Sequence, residues 1–260
     1  MKPNLKRYYD VINNRLLYIQ EKATSEFWDR HWQKQPDIKQ IYKNRNTSKL
    51  VLNTTKNYLN INSRVLEGGC GLGDKVHWLN QSGFNTIGID FATNTIDLIK
   101  ENFPEAKVEK GNLLDLKYED ESFDGYWSLG VIEHFFDGFE EIIKEARRIL
   151  KPDKFLFITY PFMNKIREYK ARKGKYPNFI DGQNIEENFY QFALDKDKTS
   201  KKICDLGFKL VKEKPYDASK GFKDEIYKFF LHKYIGYFIN RSFNWLSGHI
   251  ILQIYKKILK

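Results

Sequence analysis

Between residues 64 and 160 the chain alternates two patterns. Short continuous apolar runs end in Gly or Asp, and each is followed by a stretch whose apolar positions recur every three or four residues. The runs are "RVLEGG", "FNTIGID", "AKVEKGN", "FDGYWSLG" and "FLFITYP". A strand buried on both faces reads this way, without period-two alternation. Between them, "DKVHWLNQSG" puts Val76 and Leu79 on one helical face before Gly83, and "NTIDLIKENFP" aligns Ile96, Ile99 and Phe103 before Pro104. "DGFEEIIKEARRILKP" gathers Phe139, Ile142, Ile143, Ala146, Ile149 and Leu150 into one stripe that stops at Pro152. Strand and helix in alternation predict an α/β fold with a doubly wound parallel sheet.

The flanks read differently. Residues 1–45 have a helical, aromatic and polar pattern, with "SEFWDRHWQKQPDIKQIYK" as their distinctive piece, and are expected to form a helical N-terminal cap. The rest, 46–260, reads as one α/β domain with two additions. Residues 162–190 form a basic connection punctuated by Gly, Pro and Asn, too long for a simple loop and expected as a lid. Residues 218–246 are expected to form an aromatic helical insertion. "TSKKICDLG" reads as a helix, "FKLVKEKPYD" as a strand and "GHIILQIYKK" as the final strand. Internal repeats are absent.

Composition changes this picture in a few places. Lys and Arg exceed Asp and Glu by 44 to 34, giving a formal charge of +10. This favours anionic partners, or else marks a genome that spells many positions Lys. The cysteines, Cys70 and Cys204, provide no disulfide framework and suit a reducing cytoplasm. The five histidines have no metal-ligand spacing, so no metal is expected. The N-terminal "MKPNLKRYYDVINNRLLYIQ" lacks the apolar core of a signal peptide, and no window has the ~20 apolar residues of a membrane span. The expected location is the cytoplasm.

The candidate chemistry starts at "VLEGGCGLGD", residues 65–74. Neither register of its glycines completes the dinucleotide pattern G-x-G-x-x-G, and no G-K-[ST] follows. Instead the residues read E-x-G-x-G-x-G through Glu67, Gly69, Gly71 and Gly73. An acid in front of the loop disfavours a phosphate, since like charges repel in a confined site. It suits a ligand whose centre is cationic, and S-adenosylmethionine fits, with a sulfonium, an α-ammonium and no phosphate. Glycines let the backbone come close to such a ligand. Asp90 ends the next strand, 23 residues after Glu67, where a carboxylate can accept both ribose hydroxyls.

"VLEGGCGLGD", "GIDF", "GNLLDLKYEDESFD", "SLGVIEHF" and "RRILKPDKFLFITYP" also occur in the order and spacing of the class I S-adenosylmethionine-dependent methyltransferases. Over residues 64–161 the chain most resembles the methyltransferase-11/ubiquinone-biosynthesis-like group. The resemblance implies a Rossmann-like seven-stranded sheet whose last strand is antiparallel, a place that "GHIILQIYKK" would fill. It implies S-adenosyl-L-methionine as cofactor and S-adenosyl-L-homocysteine as product. Glu67, Gly69, Gly71 and Gly73 match the cofactor loop, and Asp90 matches the ribose-binding acid. Asn112 and Leu113 stand where the family often has Asp and a small residue beside the adenine. Asn112 departs from that acid, although its amide oxygen can still accept from the adenine amine. Ser128 and Leu129 match the end of the fourth strand, where main chain meets the methionyl part.

A sulfonium methyl is already activated, so the protein has chiefly to align an acceptor. A general base is needed where the acceptor atom carries a proton of high pKa. His134 is the first candidate and Glu133 the second; the alternative is that His134 only packs at the start of the next helix. Cys70 reads as a small loop residue. "SLGV" stands where nucleic-acid amine methyltransferases carry [DNS]-P-P-[YFW], so DNA is excluded as acceptor and RNA disfavoured. The expected acceptor is a small molecule, a lipid-linked molecule or a glycan. Phe27, Trp28, Trp32, Tyr160 and Phe162 are expected to wall it. The six basic residues between 165 and 175 would suit an anionic acceptor. A catalytically silent binding protein on the same fold stays open. The aromatic residues of 222–245 fit burial against the protein's own lid, a homodimer interface, or peripheral contact with the inner membrane surface. Monomer and homodimer both stay open.

Overall fold

The chain begins with strands where its pattern read as helix. The computed structural model describes residues 5–35, 37–180, 185–225 and 244–259. Strands β1 (Lys6–Asp10) and β2 (Arg15–Ile19) make an antiparallel hairpin, and β8 (Phe189–Ala193) pairs with the other edge of β2. Asp10 holds the turn: its carboxylate accepts from Asn13 N at 3.0 Å, Asn13 Nδ2 at 2.7 Å and Arg15 Nε at 2.9 Å. Asn14 takes φ 51°, a left-handed conformation that Asn tolerates. Leu16, Leu17 and Tyr18 are consecutive and all buried, because both faces of this small sheet are covered.

The expected helices follow the hairpin. Helix α1 (Ser25–Gln33) is capped by Thr24 Oγ1, which accepts from Phe27 N at 3.2 Å. Helices α2 (Ile38–Lys43) and α3 (Lys49–Tyr58) come next. Asp29 on α1 is buried and accepts from Thr95 N at 2.9 Å and Thr95 Oγ1 at 2.8 Å. It thereby caps α5 (Thr93–Asn102) and pins α1 across one end of the main sheet.

That sheet has seven strands in the order β5-β4-β3-β6-β7-β10-β9. They are β3 (Arg64–Gly68), β4 (Asn85–Asp90), β5 (Val108–Lys110), β6 (Phe123–Leu129), β7 (Leu150–Pro161), β9 (Phe208–Tyr216) and β10 (Ile250–Lys257). Only β10, the last in the chain, runs antiparallel to its neighbours, as the resemblance implied. Val65, Trp127 and Phe157 pack on one face with Val51 and Leu52 of α3. Leu66, Tyr126 and Ile158 pack on the other with Ile142, Ile143 and Ala146 of α6 (Glu140–Ile149). Both faces are covered, which is why the strand runs are continuously apolar. From β3 the chain winds to β4 and β5 on one side, and then crosses to β6 on the other. A crevice opens at the C-terminal ends of the strands where the order switches.

The segment expected as a basic lid is largely built into the fold. Helix α7 (Lys165–Arg172) buries Arg167 completely against Glu225 of α9 (Ala218–Glu225), Nε to Oε1 at 3.0 Å. Helix α8 (Lys196–Asp205) precedes β9, and the short α10 (Asn244–Ser247) precedes β10. Most of the aromatic stretch at 222–245, the candidate membrane contact, lies outside the described residues. Trp245 on α10 is described and half exposed. Among the described residues no helix is long and apolar enough to cross a membrane.

Candidate active site

The glycine loop leaves β3 in a conformation that side chains disfavour. Gly69, Gly71 and Gly73 have φ of 75°, 51° and 71°. The loop is held against β4: Gly69 N and Cys70 N donate to Ile89 O at 2.8 and 3.0 Å. Asp90 then clasps it, with Oδ2 accepting from Gly71 N at 2.8 Å and Oδ1 from Ala92 N at 2.9 Å. Each carboxylate oxygen retains a second acceptor position. A Cβ at Gly71 would lie 2.6 Å from Trp32 Cζ2, and one at Gly69 2.5 Å from Val131 Cγ2. The glycines therefore allow α1 and the loop after β6 to close down on this turn.

These elements enclose a cavity of about 1110 Å³. Small-ligand pockets are ~300–1,000 Å³, so this cavity is at the large end of that scale. Glu67, Gly69, Gly71, Asp90, Asn112 and Leu113 line one end. Trp28, His134, Phe135, Phe136 and Phe189 line the other, and Leu129, Val131 and Trp32 line the wall next to the glycine loop. Gly73 stands just outside, at the N-cap of α4 (Asp74–Gln81), and Ser128 is buried in β6 behind Leu129. Asn112 Oδ1 accepts from Leu114 N at 3.0 Å, so this residue also shapes its own turn.

Of the expected acceptor wall, Trp28 and Trp32 are in place. Phe27 is buried behind Trp28, ring centroids 5.2 Å apart. Tyr160 lies in the core and donates from its hydroxyl to Gln253 Oε1 at 2.6 Å, and Phe162 is buried in the same cluster. Neither lines the cavity, and nor does any residue of 165–175. The sequence reading missed Phe135, Phe136 and Phe189. The pair of rings directly after "IEH" was the available signal for the first two.

At the glycine end one buried carboxylate oxygen is left without a partner. Glu67 is buried, and its Oε2 has no hydrogen-bond partner. Burial pushes its pKa up to about 8; Lys75 opposes this, while Asp74 and Asp90 add to it. Burial also raises Asp90, against the N–H groups of Ala92 and Gly71. This acid-rich end, whose one lining cation among the described residues, Lys75, is paired with Asp74, fits a cationic nucleoside such as S-adenosylmethionine better than a phosphate. Among the described residues no group of side chains has the make-up of a metal site.

At the other end, His134 Nδ1 lies 2.7 Å from Tyr190 O. A carbonyl only accepts, so the proton sits on Nδ1 and Nε2 keeps a free lone pair. The ring packs edge-on to Trp28 at 5.1 Å and against Tyr190 at 5.2 Å. Loss of solvent around the charged form pushes its pKa down to about 4, so it is neutral at pH 7. Glu133 is buried beside it, does not line the cavity and is pushed up to about 8 by burial.

Residues 66–158 match the family described as "Methyltransferase domain". A probable S-adenosylmethionine-dependent methyltransferase of Mycolicibacterium smegmatis is 30% identical over 97 residues, covering 37% of this chain and 37% of that protein. 24-methylenesterol C-methyltransferase 2 of Arabidopsis thaliana is 26% identical over 160 residues, 58% of this chain and 43% of that one. The chain thus spans less than half the length of these curated relatives. The fold is similar to that of a Haemonchus contortus phosphoethanolamine N-methyltransferase solved with phosphomonomethylethanolamine and S-adenosylhomocysteine. That likeness has a TM-score of 0.54 at 15% identity, over 81% of this chain and 52% of that one. Strand order, glycine loop, clasping acid and family match agree: the chain carries a class I S-adenosylmethionine-dependent methyltransferase domain.

Proposed function

We propose that the protein transfers a methyl group from S-adenosylmethionine to a small or lipid-linked acceptor held in the Trp28–His134 half of the cavity. One observation carries the reading: a single cavity joins the Glu67–Asp90 end to an aromatic chamber that holds a histidine with a free ring nitrogen. Bound donor supplies a methyl group already activated on a sulfonium sulfur. Glu67 answers its positive charge, and Asp90 accepts from its ribose while fixing the loop. Trp28, Phe135 and Phe136 exclude water from the reacting end. Nε2 of His134 accepts a hydrogen bond from the acceptor, which turns a lone pair of the accepting atom toward the methyl. With a pKa of about 4, His134 does not remove the proton before transfer; it aligns the acceptor, and Nε2 takes the proton as the new bond to the methyl forms and S-adenosylhomocysteine leaves.

Calorimetry with S-adenosylhomocysteine, and transfer of radiolabelled methyl into a lysate of the source cell, test the two halves of the site. Gly71→Val forces a β-branched residue into φ 51° and against the Trp32 ring, which distorts the loop and abolishes cofactor binding. His134→Ala leaves cofactor affinity nearly intact and lowers the transfer rate ~100-fold. Normal binding by the first variant would end the cofactor assignment. A rate within a few-fold of wild type in the second would make His134 structural. Cofactor binding with no label transferred would favour a silent binding protein.

A further inference from the structure

The chamber beside His134 has a charge character opposite to that of the whole chain, which carries +10. None of the six basic residues of 165–175 lines the cavity, and three of them are paired elsewhere. Arg167 and Lys170 bind Glu225, at 3.0 and 2.9 Å, and Lys165 pairs with Glu168 at 2.9 Å. Among the described residues the cavity is lined by two cations, Lys22 and Lys75. Lys75 sits at the glycine end against Asp74 at 2.9 Å. Lys22 stands on the acceptor side and is matched by Glu186 at 3.1 Å, while Asp137 adds a further negative charge to the lining. An anionic acceptor would meet a net negative wall.

The rest of the chamber is apolar and braced from behind. Phe136 packs against Phe189 at 5.1 Å and Phe192 at 6.1 Å, and Phe189 against Phe192 at 4.4 Å. Phe192 is buried, while the partly exposed Phe136 and the edge of Phe189 turn into the cavity. Trp28 faces the chamber from α1, which Asp29 fixes to α5. Within this wall the free nitrogen of His134 is a neutral hydrogen-bond acceptor.

We propose that the acceptor is an uncharged, largely apolar molecule whose hydroxyl group donates a hydrogen bond to Nε2 of His134. The proposal rests on the methyltransferase reading above. Two probes with the same aromatic body separate it from the anionic alternative: 1-naphthol carries a hydroxyl, and 1-naphthyl phosphate carries a phosphate. Each is titrated calorimetrically into the full chain saturated with S-adenosylhomocysteine. The expected result is that naphthol binds at least about tenfold more tightly than the phosphate, because like charges oppose the second. Phe136→Ala should weaken naphthol without changing affinity for S-adenosylhomocysteine, and the volume-keeping Phe136→Leu replaces it if that variant fails to fold. His134→Phe, which keeps a ring but loses the acceptor nitrogen, should also weaken naphthol. Equal or tighter binding of the phosphate overturns the proposal in favour of an anionic acceptor. Failure of both probes to bind overturns it outright. Failure of S-adenosylhomocysteine to bind instead removes the methyltransferase reading beneath it.

Discussion

Glu67 and Glu225 are both buried glutamates, and the fold treats them in opposite ways. Glu225 ties three elements together. It accepts from Arg167 Nε at 3.0 Å, Arg7 Nη1 at 3.1 Å, Lys170 Nζ at 2.9 Å and Tyr176 Oη at 2.5 Å. Burial pushes its carboxyl up, yet Arg167, Arg7 and these hydrogen bonds hold it below the usual value. Glu67 has an oxygen with no partner at all, and burial drives its pKa to about 8. Burying a charge is costly unless the chain pairs it. A carboxyl left unpaired among other acids is one that a bound cation completes. Glu225 therefore serves the fold, whereas Glu67 is left open for the cation that the proposed function requires.

The largest effect expected from this contrast is on stability. Glu225→Ala leaves Arg167 buried with its Nε unanswered, and Arg7 and Lys170 crowded beside it. Removing one partner of a buried pair costs about 3–5 kcal/mol, which urea unfolding would measure. The pH dependence has a definite sign. Because the folded pKa of Glu225 is lowered, its contribution is present above the unfolded value and lost as pH falls through the folded one. Wild-type stability in the variant would mean that desolvation offsets the network, and the contrast with Glu67 would lose its structural half.

Asp90 lies between these extremes: it clasps the loop, and in the proposed function it also accepts from the ligand. Asp90→Ala should weaken S-adenosylhomocysteine by roughly 1.5–3 kcal/mol in calorimetry, through lost charge-assisted bonds. It also strands Gly71 N and Ala92 N. Asp90→Asn keeps an acceptor for one of these and should lose less. Affinity unchanged in the Ala variant would remove Asp90 from the ligand site and leave it a loop clasp.

The same distinction between local and long-range partners explains what could be read from the sequence. The inner strands of the main sheet were legible because, covered on both faces, they read as apolar runs, and β3, β4 and β6 close on a Gly or Asp. Glu67, Gly69, Gly71 and Asp90 could be read as one group because they lie within a single β3–α4–β4 unit. The hairpin was not, since Leu16, Leu17 and Tyr18 lack alternation; Asn13 and Asn14 were the turn signal. Arg167 read as lid charge, because its partner Glu225 lies 58 residues away. Tyr160 sits at the site end of β7, yet it pairs with Ile251 of β10, and that pairing draws it into the core. Phe189 reaches the cavity only because β8 joins β2, a contact that no local pattern encodes.

The smallest change, Glu67→Gln, tests the other half of the contrast. With a pKa of about 8, Glu67 is largely protonated at pH 7 in the free protein. The groups around it are Lys75, Asp74 and Asp90, with Cys70 and Tyr42 held neutral by burial. A ligand that brings a sulfonium and an ammonium favours the ionised form, so binding at pH 7 should release a proton. Affinity should then rise with pH and level off above about 8. Stability has the opposite sign. The folded pKa lies above the ordinary value of 4.5, so the native state binds more protons than the unfolded one, and stability falls as pH rises from there to about 8. Gln is isosteric with the protonated form, so the variant should lose little stability at pH 7 and gain some at pH 9. Calorimetry in two buffers of different ionisation enthalpy should find the released proton in wild type and none in Glu67→Gln. If wild type binds S-adenosylmethionine without releasing a proton at pH 7, the empty oxygen of Glu67 is not where the ligand's charge is met.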